Sequence, residues 1–104
     1  MEKFVQVTTT FGSYAEARKF ARILVEKRLA ACVQITPIAS TYRWKGKIRE
    51  EKEHLVLIKT KVSALDGIGG EIAGISGYEL PEMIVTPIIG GNDDYLGWVD
   101  DNVI

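Results

Sequence analysis

The sequence holds one cysteine, one histidine, three prolines and almost no net charge, and each scarcity removes a class of protein. Cys32 alone cannot close an internal disulfide, and with His54 as the only imidazole a Cys/His zinc module cannot form within the chain. Thirteen Lys and Arg stand against fourteen Asp and Glu, which leaves no reason to expect nucleic acid, whose phosphates call for clustered basic side chains. No apolar run approaches the roughly 18 residues of a membrane span. The opening Met1-Glu2-Lys3-Phe4 passes into alternating residues without the apolar stretch of a signal peptide. A cytoplasmic protein with neither nucleic acid nor membrane as partner is expected. The GxxxxGKS/T, GxGxxG, CxxC and HExxH patterns are absent, and with them the usual signatures of nucleotide hydrolysis, dinucleotide binding, thiol exchange and zinc proteolysis. The 104 residues make one domain, 1–104, near the size at which burial just sustains a fold.

What is present reads as alternating strands and helices. Phe4 to Thr10 alternates and is β-branched, a first strand. Ser13 and Glu16 form a capping box, and Ala17, Phe20, Ala21 and Leu24 make the apolar stripe of a helix. Ala30 to Trp44 is a long second strand, Lys45-Gly46 a tight turn, and Lys47 to Thr60 the returning arm of a hairpin. Leu55-Val56-Leu57-Ile58 is apolar on successive residues, which asks for cover on both faces of the sheet. Ser63 to Ile75 keeps helical spacing in Leu65, Ile68, Ile72 and Ile75 despite four glycines, each costing about 1 kcal/mol against alanine. Glu82 to Ile89 reads as a fourth strand at an edge or bulge, because Pro87 cannot donate to a ladder. Asp93 to Asn102 closes the chain as a short helix. The order βαββαβ plus a terminal helix predicts an α+β, ferredoxin-like antiparallel four-stranded sheet with two helices on one face. One uncovered apolar face and long unpaired edges predict a closed homo-oligomer.

The chemistry-bearing residues each admit a plain reading and a functional one. Cys32 is read as a small buried side chain. His54 could ligate a metal, but in Glu50-Glu51-Lys52-Glu53-His54 it is read as a strand residue among solvated charges. Glu51 and Glu53 can share a face, with Glu50 on the other. Tyr42 and Trp44 also share a face, and stacked aromatics beside Lys45 and Lys47 suit either single-stranded nucleic acid or a subunit contact; the charge balance favours the contact. Ser76 to Glu82 is either a rigid connection or a cleft-lining loop presenting Tyr78 and Glu79.

Together, Leu24 to Val33, Tyr42-Arg43-Trp44-Lys45-Gly46-Lys47-Ile48, Lys59-Thr60, Tyr78-Glu79-Leu80-Pro81-Glu82, Pro87-Ile88 and Tyr95-Leu96-Gly97-Trp98 resemble, in order and over nearly the whole chain, the CutA divalent-cation tolerance proteins. The resemblance implies a ferredoxin-like subunit in a homotrimer, similar to the PII signalling proteins, with hairpins reaching between subunits. It implies a non-enzymatic role in tolerance of copper and other divalent metals. It further implies that Cys32, Tyr42, Trp44, Lys59, Tyr78, Glu79 and Trp98 line subunit contacts and adjoining clefts. Copper-binding members place histidine just before the Tyr-Glu-x-Pro loop, where this chain has Ile75, Ser76 and Gly77. A cysteine of some members falls at Thr9, and Lys45 replaces an acid at the hairpin tip. Metal binding is therefore expected to be weak and carboxylate-based, with Glu51, Glu53 or Glu79 meeting copper, zinc or manganese. The alternative is a PII-like module binding a small anion beside Lys59 and Tyr78. An acylphosphatase-type enzyme is not expected, since its phosphate loop has no counterpart in Thr8 to Ser13.

Overall fold

A two-residue turn organises the sheet. In the computed structural model, which describes residues 3–104, Lys45 and Gly46 take φ of 50° and 79°. Two positive φ values make the hairpin turn whose twist matches that of its strands. From this turn β2 (Cys32–Trp44) and β3 (Lys47–Lys61) pair outward without a slip, from Trp44 opposite Lys47 to Cys32 opposite Lys59. β1 (Phe4–Phe11) lies along the other side of β3, and β4 (Ile84–Pro87) along β1. The antiparallel order is β2-β3-β1-β4. Met1 and Glu2, with which the opening read for a signal peptide begins, lie outside the described residues.

β1 ends where Phe11 meets His54. Beyond that point Lys47–Glu53 of β3 and Ile38–Trp44 of β2 pair only with each other. The hairpin therefore projects as a two-stranded ribbon, and the molecule measures 45 × 25 × 22 Å.

Helix α1 (Tyr14–Glu26) starts as the capping box predicts, with the Glu16 backbone N–H donating to Ser13 Oγ at 3.1 Å. It buries Ala17, Phe20 and Leu24. Helix α2 (Leu65–Ile75) follows a single tight 3₁₀ turn, Val62–Ala64, and buries Ile68 and Ile72. These side chains meet Val7, Phe11, Val56 and Ile58 of the sheet in one core, with the Phe11 and Phe20 rings 4.9 Å apart. Each such side chain fully withdrawn from water contributes about 1.5–3 kcal/mol. Helix α3 (Asp93–Asn102) inserts Val99, and Val103 follows into the same core. Asp100 accepts from Lys3 and Lys61, both at 2.8 Å, and these hydrogen bonds hold its carboxyl below the ordinary range.

Two expectations change. The fourth strand is Ile84–Pro87 rather than Glu82 to Ile89, because it pairs only with Val5 to Thr8 and Pro87 brings no N–H to extend the ladder. Cys32 is half-buried rather than buried: its pairing partner is Lys59, so it lies on the face that the helices leave open. On that face Leu55 and Leu57 are only half covered, whereas Val56 and Ile58 on the other are completely buried.

Candidate functional site

The register of the hairpin decides which side chains meet. Residues directly opposite in an antiparallel pair share a face, so counting out from the turn aligns Tyr42 with Arg49, Ser40 with Glu51 and Ile38 with Glu53. Tyr42, Trp44, Glu51 and Glu53 thus stand on one face of the ribbon, with Glu50 on the other as expected. The loop from α2 to β4 passes this face. It encloses with it a cleft of about 600 Å³ lined by the two aromatic residues, Tyr78, and the carboxyls of Glu51, Glu53, Glu79 and Glu82.

Glu53 is the centre of the cleft's electrostatics. It is 8% exposed, yet no cation lies within ion-pair distance of it among the described residues. The Tyr78 hydroxyl donates to its Oε2 at 2.6 Å. Burial pushes the Glu53 carboxyl up, but hydrogen bonds from Tyr78, Ser40 and Thr10 outweigh it and hold the group below the ordinary range. Tyr78 shows the reciprocal effect, its phenol pushed far up by burial, then by the bond to Glu53 and by nearby negative charge. Glu82 is also raised, first by burial and then by the charge of Glu53. Its backbone carbonyl accepts from Thr9 Oγ1 at 2.7 Å, which anchors the loop to the sheet. Tyr42 is raised by burial, then by its hydrogen bond to Glu51 and the charges of Glu51 and Glu53.

The remaining acids are neutralised separately. Lys45 Nζ lies 3.3 Å from Glu79 and Arg49 3.9 Å from Glu51. Lys45 also sits 5.7 Å from the centre of the Trp44 ring. Among the described residues no three His, Cys, Asp or Glu side chains group as metal donors. Glu51, Glu53 and Glu79 therefore share the cleft without converging on one point.

Of the seven residues expected to line contacts and clefts, Tyr42, Trp44, Tyr78 and Glu79 come together here. Lys59 and Cys32 do not. Lys59 is six positions along β3 from Glu53, about 20 Å at the rise of a strand, and donates to Gln34 instead. Cys32 lies beside Tyr95, whose phenol is raised by burial and then by the thiol, and Tyr95 packs 5.5 Å from Trp98. His54 differs from its expected solvated setting. It shares the helix-covered face with Val56, its ring lies 5.9 Å from Tyr14, and its buried Nδ1 has no hydrogen-bond partner among the described residues. Glu82, Arg49, Ser40 and Thr10 are members of the site that the sequence does not single out. Counting the register from Lys45-Gly46 finds Ser40 and Arg49, but Glu82 and Thr10 arrive from other elements and carry no local signal.

A ferredoxin-like α+β chain with a projecting hairpin and an acidic, aromatic cleft along it defines the class. Comparison with known proteins narrows it: residues 5–102 match the model of the CutA1 divalent ion tolerance protein family. The chain belongs to that family. It is 41% identical to the divalent-cation tolerance protein CutA of Thermus thermophilus, over 98% of both chains. It is 46% identical to human protein CutA over 80% of this chain and 47% of that one, so it spans about half the length of this animal relative. The structure of the periplasmic divalent cation tolerance protein CutA from Archaeoglobus fulgidus superposes with a TM-score of 0.94 at 34% identity, covering 97% and 99% of the two chains. That of CutA1 from Shewanella sp. SIB1 does so with 0.94 at 37%, covering 98% and 96%. Among the described residues no helix is long and apolar enough to cross a membrane.

Proposed function

We propose that the chain acts as a non-enzymatic, homotrimeric, cytoplasmic protein of divalent-cation tolerance that takes up divalent ions weakly through the carboxylates of the hairpin cleft. The observation that carries the reading is Glu53, a buried carboxylate that accepts from the Tyr78 hydroxyl at 2.6 Å and has no ion-pair partner among the described residues. An unpaired buried charge is costly, and a cation entering the cleft relieves that cost. The charge count points the same way. Four carboxyl groups against Arg43, Arg49 and the Lys45 that pairs with Glu79 leave the cleft one negative charge in excess, which favours a cation and opposes the small anion of a PII-like ligand.

The donor set limits the affinity. Copper and zinc prefer nitrogen and sulfur donors in a closed sphere, and a hard ion takes six or more oxygens. Here the positions before the Tyr78 loop are Ile75 and Ser76, and the acids are dispersed. The residues present suit a largely hydrated ion such as manganese and do not suit tightly held copper.

Titration calorimetry of the untagged protein with copper, zinc and manganese tests this. Weak manganese uptake, lost in Glu53→Gln, is expected; no binding of any of the three below millimolar removes direct metal uptake from the reading.

A further inference from the structure

Helix α1 carries cations that the fold does not use. Outside the projecting hairpin, Lys3, Lys27 and Lys61 meet carboxylates, Arg28 donates to the carbonyls of Asp101 and Asn102, and Lys59 donates to Gln34. Arg18 and Lys19 enter no ion pair among the described residues, and Arg22 is held only by the exposed Glu26 at 2.6 Å. Glu16, the nearest acid in the chain, turns to the cap at Ser13. The helix buries Ala17, Phe20 and Leu24 on its other side, so the three cations face outward and are exposed. With Tyr14, itself 55% exposed, and Ala15 they line a shallow depression of about 440 Å³. Helix stability does not account for their placing. The helix dipole favours cations in the last turn, whereas Arg18 and Lys19 stand in the second, and Arg22 precedes Glu26, the weaker order of such a pair. Charges set against the local rule point to a use outside the helix.

We propose that this outer face of α1 docks an acidic segment of a partner protein, with carboxylates on Arg18, Lys19 and Arg22 and an apolar side chain over Ala15 against the Tyr14 ring. Charge complementarity sets the sign of the partner, and three features set its class. Two guanidiniums suit planar carboxylates, which they can grip through paired N–H donors. Arg18 and Arg22 stand one helical turn apart, about 6 Å, close to the roughly 6.7 Å between alternate side chains of an extended segment. A polybasic membrane contact draws on about 4–8 cations and a nucleic acid on a run of them along its phosphates, and three cations over two turns fall short of both. The face lies on the far side of the helix layer from the sheet. It shares no residue with the hairpin, the edge strand or the helix-free face that the trimer reading gives to contacts between copies, and it stands apart from the cleft of the proposed metal uptake.

The probe is a short glutamate-rich peptide with one central tryptophan, titrated into the full chain while its backbone amide signals are followed by nuclear magnetic resonance. Saturable shifts below millimolar peptide are expected at Tyr14, Ala15, Arg18, Lys19 and Arg22. Arg43, Lys47 and Lys52, which share the hairpin with Glu50, Glu51 and Glu53, are expected to stay in place. The same peptide with glutamine for glutamate is expected to shift nothing, and added salt to weaken binding, as it does for exposed charges. The double variant Arg18→Gln, Lys19→Gln is expected to bind about tenfold more weakly, at up to roughly fivefold for each exposed pair. Its melting temperature is expected to stay unchanged, which separates docking from a structural role. Ala15→Glu, which sets a carboxylate in the depression, is expected to abolish binding and carries the test if the double variant fails to fold. Absence of saturable shifts on α1, equal shifts with the glutamine peptide, or undiminished binding in the folded variants overturns the proposal. Equal α1 shifts with inorganic phosphate, or binding to phosphatidylserine vesicles without binding to the peptide, overturns it as well.

Discussion

At the scale of the residue, Glu53 and Glu82 make opposite demands on the same cleft. The folded state binds the Glu53 proton less tightly than the unfolded chain, since Tyr78, Ser40 and Thr10 donate to the carboxylate. That stability is present above the unfolded carboxylate value, about 4.3, and is lost as pH falls through the folded one. Tyr78→Phe removes a 2.6 Å donor and is expected to cost about 1–3 kcal/mol at pH 7. Urea denaturation of both proteins at pH 7 and pH 3 should show the gap narrowing in acid. Glu82 works the other way. Burial and the charge of Glu53 raise its carboxyl, so its favourable contribution lies below the unfolded value and disappears as pH rises through the raised one. Glu82→Gln is therefore expected to stabilise the protein at pH 7 and to leave it unchanged at pH 3, measured by the same denaturation curves. An unchanged or lowered midpoint at pH 7 contradicts the assignment.

At the scale of the element, α2 shows why glycine counts alone mislead. Its glycines weaken an isolated helix, but they do not share one reason for being there. A Cβ on Gly67 would meet Leu29 Cδ2 at 2.8 Å, whereas one on Gly70 meets nothing within 4 Å. Gly67 therefore lets α2 approach the segment after α1, and Gly70 has no such duty. Gly70→Ala is expected to raise stability by about 0.5–1 kcal/mol. Gly67→Ala is expected to gain less than Gly70→Ala, because the half-buried Leu29 side chain must first move its methyl group aside. Thermal melts of the two variants check the contrast, and a Gly67→Ala gain equal to that of Gly70→Ala refutes the close approach. The hairpin is the second informative element. Its turn at Lys45-Gly46 sets the register, and the register sets the cleft wall.

At the scale of the molecule, the single chain leaves apolar surface that the proposed closed assembly would cover. Ile84 is 53% exposed and Val85 41% on the short edge strand, and Ile89 is 86% exposed beyond it. Leu55 and Leu57 on the helix-free face are only half covered. If three copies cover this surface, light scattering at micromolar concentration yields the mass of three chains, and Val85→Lys lowers both that mass and the melting temperature. A monomeric parent protein contradicts the trimer. Cell fractionation checks the cytoplasmic placement against the periplasmic description of the Archaeoglobus relative.

The local grammar of the sequence determined most of the elements. The capping box at Ser13, the stripe through Phe20 and Leu24, and the turn at Lys45-Gly46 act between neighbours in the chain, so their consequences are legible in the order of residues alone. The family is legible too, from several motifs in fixed order. The alternating pattern overextends the fourth strand because the strand's end depends on where β1 stops offering partners. It misplaces Cys32 and His54 because burial on one face of a sheet depends on what packs over it. Only the tertiary structure brought Glu82 and Thr10 to Glu53, and only it separated Lys59 from Tyr78. The physical reason is range: capping, turns and periodicity are decided within a few residues, whereas the ionisation of a buried carboxylate is decided by whichever donors and charges the fold carries to it from distant parts of the chain.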